Sequence, residues 1–218
     1  MPAMTATAKK GLAVFSLFVI GAVALAGVFA LQRDSGMPDD LRGIAFANPA
    51  QLQGVALAGA KGAITFPATA QSRWILLALG YTHCPDICPF MLGNLAEVEA
   101  ELRGRLDSTE MPQFVFLSVD PARDTTALLA EYVAYFSDSF VGLTGPRQAI
   151  DRVAKQLGAF YRYGPKDSDG AYGVDHSAEI FLIDPYGRLF GRFQPPLDPQ
   201  ETALKFESAR QFFQQTKT

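Results

Sequence analysis

Trp74-Ile-Leu-Leu-Ala-Leu-Gly-Tyr-Thr-His-Cys-Pro-Asp-Ile-Cys-Pro89 decides the fold, because in one short stretch it passes from a buried strand through a cysteine-bearing turn into a helix. Residues 74–79 are a continuous apolar run, too short for a helix and closed by Gly80, which is the pattern of a central strand buried on both faces. Pro85 and Pro89 hold φ near about −65° and donate no backbone N–H, so the turn between them is stiff, with Cys88 expected as N-cap and Pro89 as the first helical residue. Cys84 and Cys88 are four positions apart. On a helical turn their sulfurs lie on one face and can share a metal ion or a bond. The positive end of the helix dipole is expected to lower the Cys88 thiol pKa. His83 adjoins Cys84, but neighbouring side chains on an extended segment point apart, so it carries little weight.

Downstream, Met91, Leu95, Val98 and Leu102 recur at helical spacing and Gly104 ends the helix. Residues 114–119 form a second apolar strand. Asp124 is read as the cap of a helix burying Leu128, Leu129, Tyr132, Val133 and Phe136. Residues 140–143 make a third strand, and Gly145-Pro146 opens a helix through Ile150, Val153 and Leu157 that Gly158 stops. This alternation implies parallel pairing with right-handed crossovers. Residues 179–183 and 189–193, joined by Asp184-Pro-Tyr-Gly187, read as an antiparallel hairpin, and Asp198-Pro199 with Glu201 as the capping box of a last helix. Parallel units followed by a hairpin and a helix describe an α/β, thioredoxin-like fold. Upstream, residues 52–57 and 63–66, with a turn at 59–62, predict a small edge hairpin.

Residues 11–31 are an uninterrupted apolar run whose only hydroxyl is Ser16; it spans about 30 Å as a helix, the hydrocarbon thickness of a bilayer. A cleaved signal peptide is the alternative, since Ala24-Leu25-Ala26 imitates a cleavage site, but the apolar core of such a peptide normally runs about 7–15 residues. The expectation is an N-terminal transmembrane helix at 11–31, with residues 1–10 in the cytoplasm because Lys9 and Lys10 precede the span. Residues 32–50 are then a tether and 51–218 one globular domain. Residues 1–10 are not an Arg-rich transit sequence, so a bacterial inner membrane with the domain in the periplasm is expected, where cysteines can oxidise. The chain carries 19 Lys and Arg against 22 Asp and Glu, net −3. With Lys9, Lys10 and Arg33 assigned to the anchor, the domain is acidic and offers no basic field for nucleic acid.

The second histidine, His176, closes a polar, glycine-containing loop over residues 164–177. In a thioredoxin-like sheet the strand that follows neighbours the strand carrying the cysteine turn, which brings His176 towards Cys84 and Cys88. The plain alternative is a loop histidine bonded to adjacent backbone. For the cysteines the plain alternative is a structural disulfide, but closing so small a loop removes only about 2 kcal/mol of chain entropy, so the local pair favours chemistry. Two thiolates and a neutral imidazole suit Cu(I) in three-coordinate geometry and accept Cu(II); zinc would want a fourth ligand or a catalytic water. Asp86 and Asp175 are the nearby acids, with Asp175 expected to support the site from behind or at docking.

Residues 80–89, Ser118-Val-Asp-Pro-Ala-Arg-Asp-Thr125, Gly142-Leu-Thr-Gly145, and Val174-Asp-His-Ser177 followed by Leu182-Ile-Asp-Pro-Tyr-Gly187 together resemble the SCO/SenC proteins, over about residues 73–192. The resemblance implies a membrane-anchored, thioredoxin-like copper-binding metallochaperone for assembly of the binuclear copper centre of cytochrome c oxidase subunit II. It implies Cys84, Cys88 and His176 as ligands of Cu(I) or Cu(II). By the same analogy a periplasmic copper carrier is the donor and copper passes on by ligand exchange, or the thiol pair reduces the target's disulfide. The chain departs from the pattern at Thr126, where members often carry Pro, and in the hairpin at 52–66. Asp120, Arg123 and Asp124 are expected to hold the loop near the site by helix capping and a salt bridge. A thiol:disulfide oxidoreductase is the competing function. Against it, the spacing here is CxxxC rather than CxxC, and Asp175-His176-Ser177 lacks the proline such enzymes place there. A peroxidase would want threonine three residues before its cysteine, whereas Thr82 is two before Cys84.

Overall fold

In a computed structural model that describes residues 36–67 and 73–216, the apolar run becomes β4 (Ile75–Gly80), with every residue buried. Its neighbours define the sheet: β5 (Gln113–Ser118) runs parallel on one side and β9 (Ile180–Ile183) antiparallel on the other. The parallel series continues to β6 (Val141–Thr144), and β10 (Arg188–Phe193) completes a hairpin with β9. At one edge β2 (Val55–Gly59) and β3 (Gly62–Phe66) attach to β6 as the expected hairpin, and at the other β1 (Ala45–Gln51) lies along β10. The order is β1-β10-β9-β4-β5-β6-β2-β3. This mixed α/β arrangement is consistent with the thioredoxin-like expectation.

Helices α1 (Ile87–Arg103), α2 (Thr126–Ala134) and α3 (Arg147–Leu157) follow β4, β5 and β6, and α4 (Pro199–Gln215) closes the described chain. The helical spacing read in α1 places Met91, Leu95, Val98 and Leu102 in the core, and α1 packs against α4. Trp74 is gripped edge-on by Phe190, Phe213 and Phe206, at 5.0, 5.1 and 5.8 Å between ring centroids. Each such fully buried side chain contributes about 1.5–3 kcal/mol, more than a typical hydrogen bond in the loops above, so the apolar core makes β4 the firm base of the cysteine turn. Gly158 adopts the left-handed conformation and stops α3, as its position predicts.

Several expectations are corrected. Strand β1 lies in the stretch read as tether; Asn48 and Pro49 disguise it, and a register irregularity between Ala45 and Ala50 absorbs the proline at the sheet edge. Helix α1 begins at Ile87 with Asp86 as N-cap, so Cys88 sits inside the first turn and Pro89 follows it. The cap of α2 is Thr125, whose hydroxyl accepts the Leu128 N–H at 3.2 Å, and Leu128 itself is exposed. The polar loop ends in β8 (Val174–His176), which pairs with β7 (Tyr161–Tyr163) just before the loop as a second, two-stranded sheet. The anchor at 11–31 and the segment 1–10 lie outside the described residues, among which no helix is long and apolar enough to cross a membrane.

Candidate metal centre

Gly80 ends β4 directly beneath the cysteines. A Cβ there would lie 2.8 Å from Cys88 Sγ and 2.5 Å from the Phe116 ring, so only glycine lets the sulfur rest against the strand. The chain then turns, with Cys84 N–H donating to Tyr81 C=O at 3.2 Å and Cys88 N–H to Cys84 Sγ at 3.4 Å. Both cysteines are free and buried, Cys88 completely.

His176 arrives from the end of β8, where it pairs with Tyr161. Its Nε2 lies 3.4 Å from Cys88 Sγ, and its Nδ1 lies 2.9 Å from Ser177 C=O. The carbonyl assigns the proton to Nδ1, leaving the Nε2 lone pair facing the sulfurs. The Tyr81 ring packs edge-on to the imidazole at 6.1 Å. The ligand atoms of Cys84, Cys88 and His176 all lie within 4.8 Å of one another. Donors about 2.0–2.3 Å from a shared ion stand about 3.5–4 Å apart, so the trio needs only a small side-chain adjustment to close on a metal.

Burial, reinforced by the bond to Cys84, pushes the Cys88 thiol pKa well up, which reverses the lowering expected from the helix dipole. The magnitudes explain the reversal: a helix N-terminus is worth about 0.3–1 kcal/mol, under one pKa unit, whereas full burial moves a group by up to about 3–5 units. Burial lowers the His176 pKa, partly offset by the Ser177 carbonyl, so the imidazole is neutral at neutral pH. Metal uptake must therefore displace the Cys88 proton but none from Nε2. Apparent metal affinity is expected to fall at least about tenfold per pH unit from about pH 8 to about 6.5, measured by competition with a chromophoric chelator. A flat profile would show that Cys88 does not bind as thiolate.

Asp124 steadies the turn, though not as a helix cap. Its fully buried carboxylate accepts the Thr82 N–H at 3.1 Å, the Thr82 hydroxyl at 2.6 Å and the Ser118 hydroxyl at 2.5 Å. Asp120, also fully buried, forms the expected ion pair with Arg123. Asp175 does not stand behind His176: it is exposed and paired across the strands with Arg162 at 2.8 Å, and the Ser177 carbonyl takes the supporting place. Asp86 and His83 are exposed and outside the trio, with His83 Nδ1 3.0 Å from Thr82 Oγ1. Sequence reasoning passed over Tyr81, Thr82 and Ser177 as parts of the site. Their one signal was adjacency to Cys84 and His176.

Among the described residues no fourth His, Cys, Asp or Glu joins this group, which departs from the four ligands of a structural zinc site. Two soft sulfurs and a borderline imidazole fit Cu(I) and also hold Cu(II).

A family model described as SCO1/SenC matches residues 55–211. The mitochondrial SCO1 homolog of Homo sapiens is 43% identical over 124 residues, 56% of this chain and 40% of the human protein, so the match spans less than half of that relative's length. Two solved structures are similar in fold and sequence. Arabidopsis thaliana ScoI with copper bound superposes with a TM-score of 0.66 at 31% identity, covering 76% of this chain and 99% of that one. Bradyrhizobium japonicum ScoI with copper bound gives 0.64 at 32% identity, covering 72% and 98%.

Proposed function

The chain belongs to the SCO1/SenC family, and on that footing we propose that it is a copper metallochaperone whose cargo is held by Cys84, Cys88 and His176. The observation that carries this reading is the convergence of three ligand atoms within 4.8 Å from remote parts of the polypeptide. The two sulfurs, on a stiff turn at the start of α1, form the soft, buried half of the grip. The imidazole, half-buried on the separate β7–β8 sheet, is the ligand that a recipient's donor displaces first, so release proceeds by ligand exchange.

Sco proteins are cytochrome c oxidase assembly proteins. The proposed recipient is accordingly the binuclear copper centre of oxidase subunit II, and the donor a periplasmic copper carrier. The proposed place is a bacterial inner membrane with the domain in the periplasm, because residues 11–31 are long and apolar enough to anchor it. Cells lacking the protein are expected to make oxidase deficient in subunit II copper, and the copper-loaded full-length chain to give up its metal to apo subunit II. Equal copper in oxidase from both strains, with no transfer in vitro, would sink the assignment.

One observation favours thiol:disulfide exchange as a second reading, since both thiols are free and close together. Cys88 is, however, inaccessible, and His176 Nε2 stands 3.4 Å from its sulfur where a substrate disulfide would have to approach. Multiple turnover of a disulfide substrate by copper-free His176→Ala protein would replace the carrier reading.

A further inference from the structure

The β7–β8 sheet that presents His176 makes no strand pairing with the main sheet. Side chains hold it instead: Tyr161 O–H donates to Asp151 of α3, and two further tyrosines reach the loop between β5 and α2. Tyr163 O–H donates to Val119 C=O at 2.6 Å, and Tyr172 O–H donates to Asp120 Oδ1 at 2.8 Å. Arg123, ion-paired with the same Asp120, lays its guanidinium 3.7 Å from the centroid of the Tyr172 ring and 5.5 Å from that of Tyr81. Tyr81 in turn abuts the His176 imidazole. The same loop is bolted to the cysteine turn through Asp124 and Thr82. One loop thus touches both halves of the metal site.

We propose that Tyr172 and Arg123 are positioning residues: with Asp120 they form a clamp that holds His176 against the thiol pair and so determines how much the imidazole contributes to copper affinity. This rests on the copper reading above. Fold stability alone does not call for such a clamp. A buried carboxylate with a guanidinium is no better than apolar packing at holding a loop, and Arg123 Nη2 is buried without a hydrogen-bond partner. What the ionic, stacked arrangement supplies is a defined direction, since the planar guanidinium meets the carboxylate at its edge and the tyrosine at its face. The tyrosine ring then fixes the far end of the arm, and β8 carries that placement to His176.

The test uses the full-length chain with Cu(II) alone, read by chelator competition, by sulfur-to-copper charge transfer and by nitrogen coupling in the electron paramagnetic resonance spectrum. Tyr172→Ala is expected to weaken Cu(II) binding roughly 10–100-fold, the range for losing a residue that orients a ligand, and to alter the nitrogen coupling. In a His176→Ala background the same change is expected to add no further loss, because the clamp acts only through the imidazole. Arg123→Lys, which keeps a charge for Asp120 but loses the planar stack, is expected to behave likewise, and carries the same cycle if Tyr172→Ala does not fold. Unchanged affinity and spectrum, or an equal loss with and without the imidazole, overturns the proposal. If His176→Ala alone leaves copper binding intact, the three-ligand reading fails; if it weakens binding while Tyr172→Ala does not, only the clamp fails.

Discussion

Cys88→Ser is expected to strip the chain of its copper at affinities where the parent protein stays loaded. The substitution nearly preserves shape, so a serine fits where the sulfur rests against Gly80 and Phe116, and the turn persists. What changes is the donor: a hard hydroxyl replaces a soft thiolate, leaving Cys84 and His176 to hold a two-coordinate ion. Thiolate and imidazole sites with four ligands carry about 10–16 kcal/mol, or about 2.5–4 per ligand, so one lost sulfur corresponds to a drop on the order of 10²–10³-fold. Competition with a Cu(I) chelator measures this, and the Cu(II) charge-transfer band should fall with it. Parent-like affinity would mean that the buried sulfur is not a ligand, and that the metal, if any, sits elsewhere.

The second large effect concerns the frame rather than the metal. Asp124→Ala removes a fully buried acceptor from three donors, the half-buried Thr82 N–H and hydroxyl and the buried Ser118 hydroxyl. A stranded buried donor costs about 1–3 kcal/mol and the two half-buried Thr82 donors sit at the low end of that range, so the expected loss is about 3–5 kcal/mol, a large share of the roughly 5–15 kcal/mol that holds a domain together. Urea unfolding should show a lower midpoint with an unchanged slope. A shift equivalent to less than about 1 kcal/mol would show that water replaces the carboxylate, and that the turn is held chiefly by its prolines and the core beneath.

Much of this was legible from residue order because apolar patterning is loud where burial is complete. The apolar run at 74–79 carries the pattern of a central strand and the structure makes it β4 at 75–80, with β9 beside it bringing His176 towards the cysteines. What stayed hidden was local and polar. Strand β1 carries Asn48 and Pro49 and holds on by its pairing to β10, a tertiary contact that no local propensity announces. The sheet of β7 and β8 is built from three-residue strands tied by tyrosine hydroxyls, too short for any alternation to be counted. On β8 the rule that sets His83 aside applies to Asp175 as well, since neighbours on a strand face opposite ways and His176 is the one that looks at the sulfurs. The Cys88 thiol was misjudged for a different reason. Helix position is visible in a sequence, whereas the depth at which Gly80 lets the sulfur settle is not.

The separation of the ligands along the chain has a consequence for biosynthesis. A ribosome delivers the dithiol turn 88 residues before the imidazole, and nothing local binds the two together. During that interval the nascent protein offers a bare pair of sulfurs to any oxidant or stray soft ion. Tertiary closure by long-range contacts is the slow part of folding, and the third donor takes its place only when β9 pairs with β4 and the β7–β8 sheet docks on the loop after β5. Full-strength copper capture is therefore a certificate of completed folding, and a chain stalled short of that step would carry its metal loosely or lose its thiols to cross-linking.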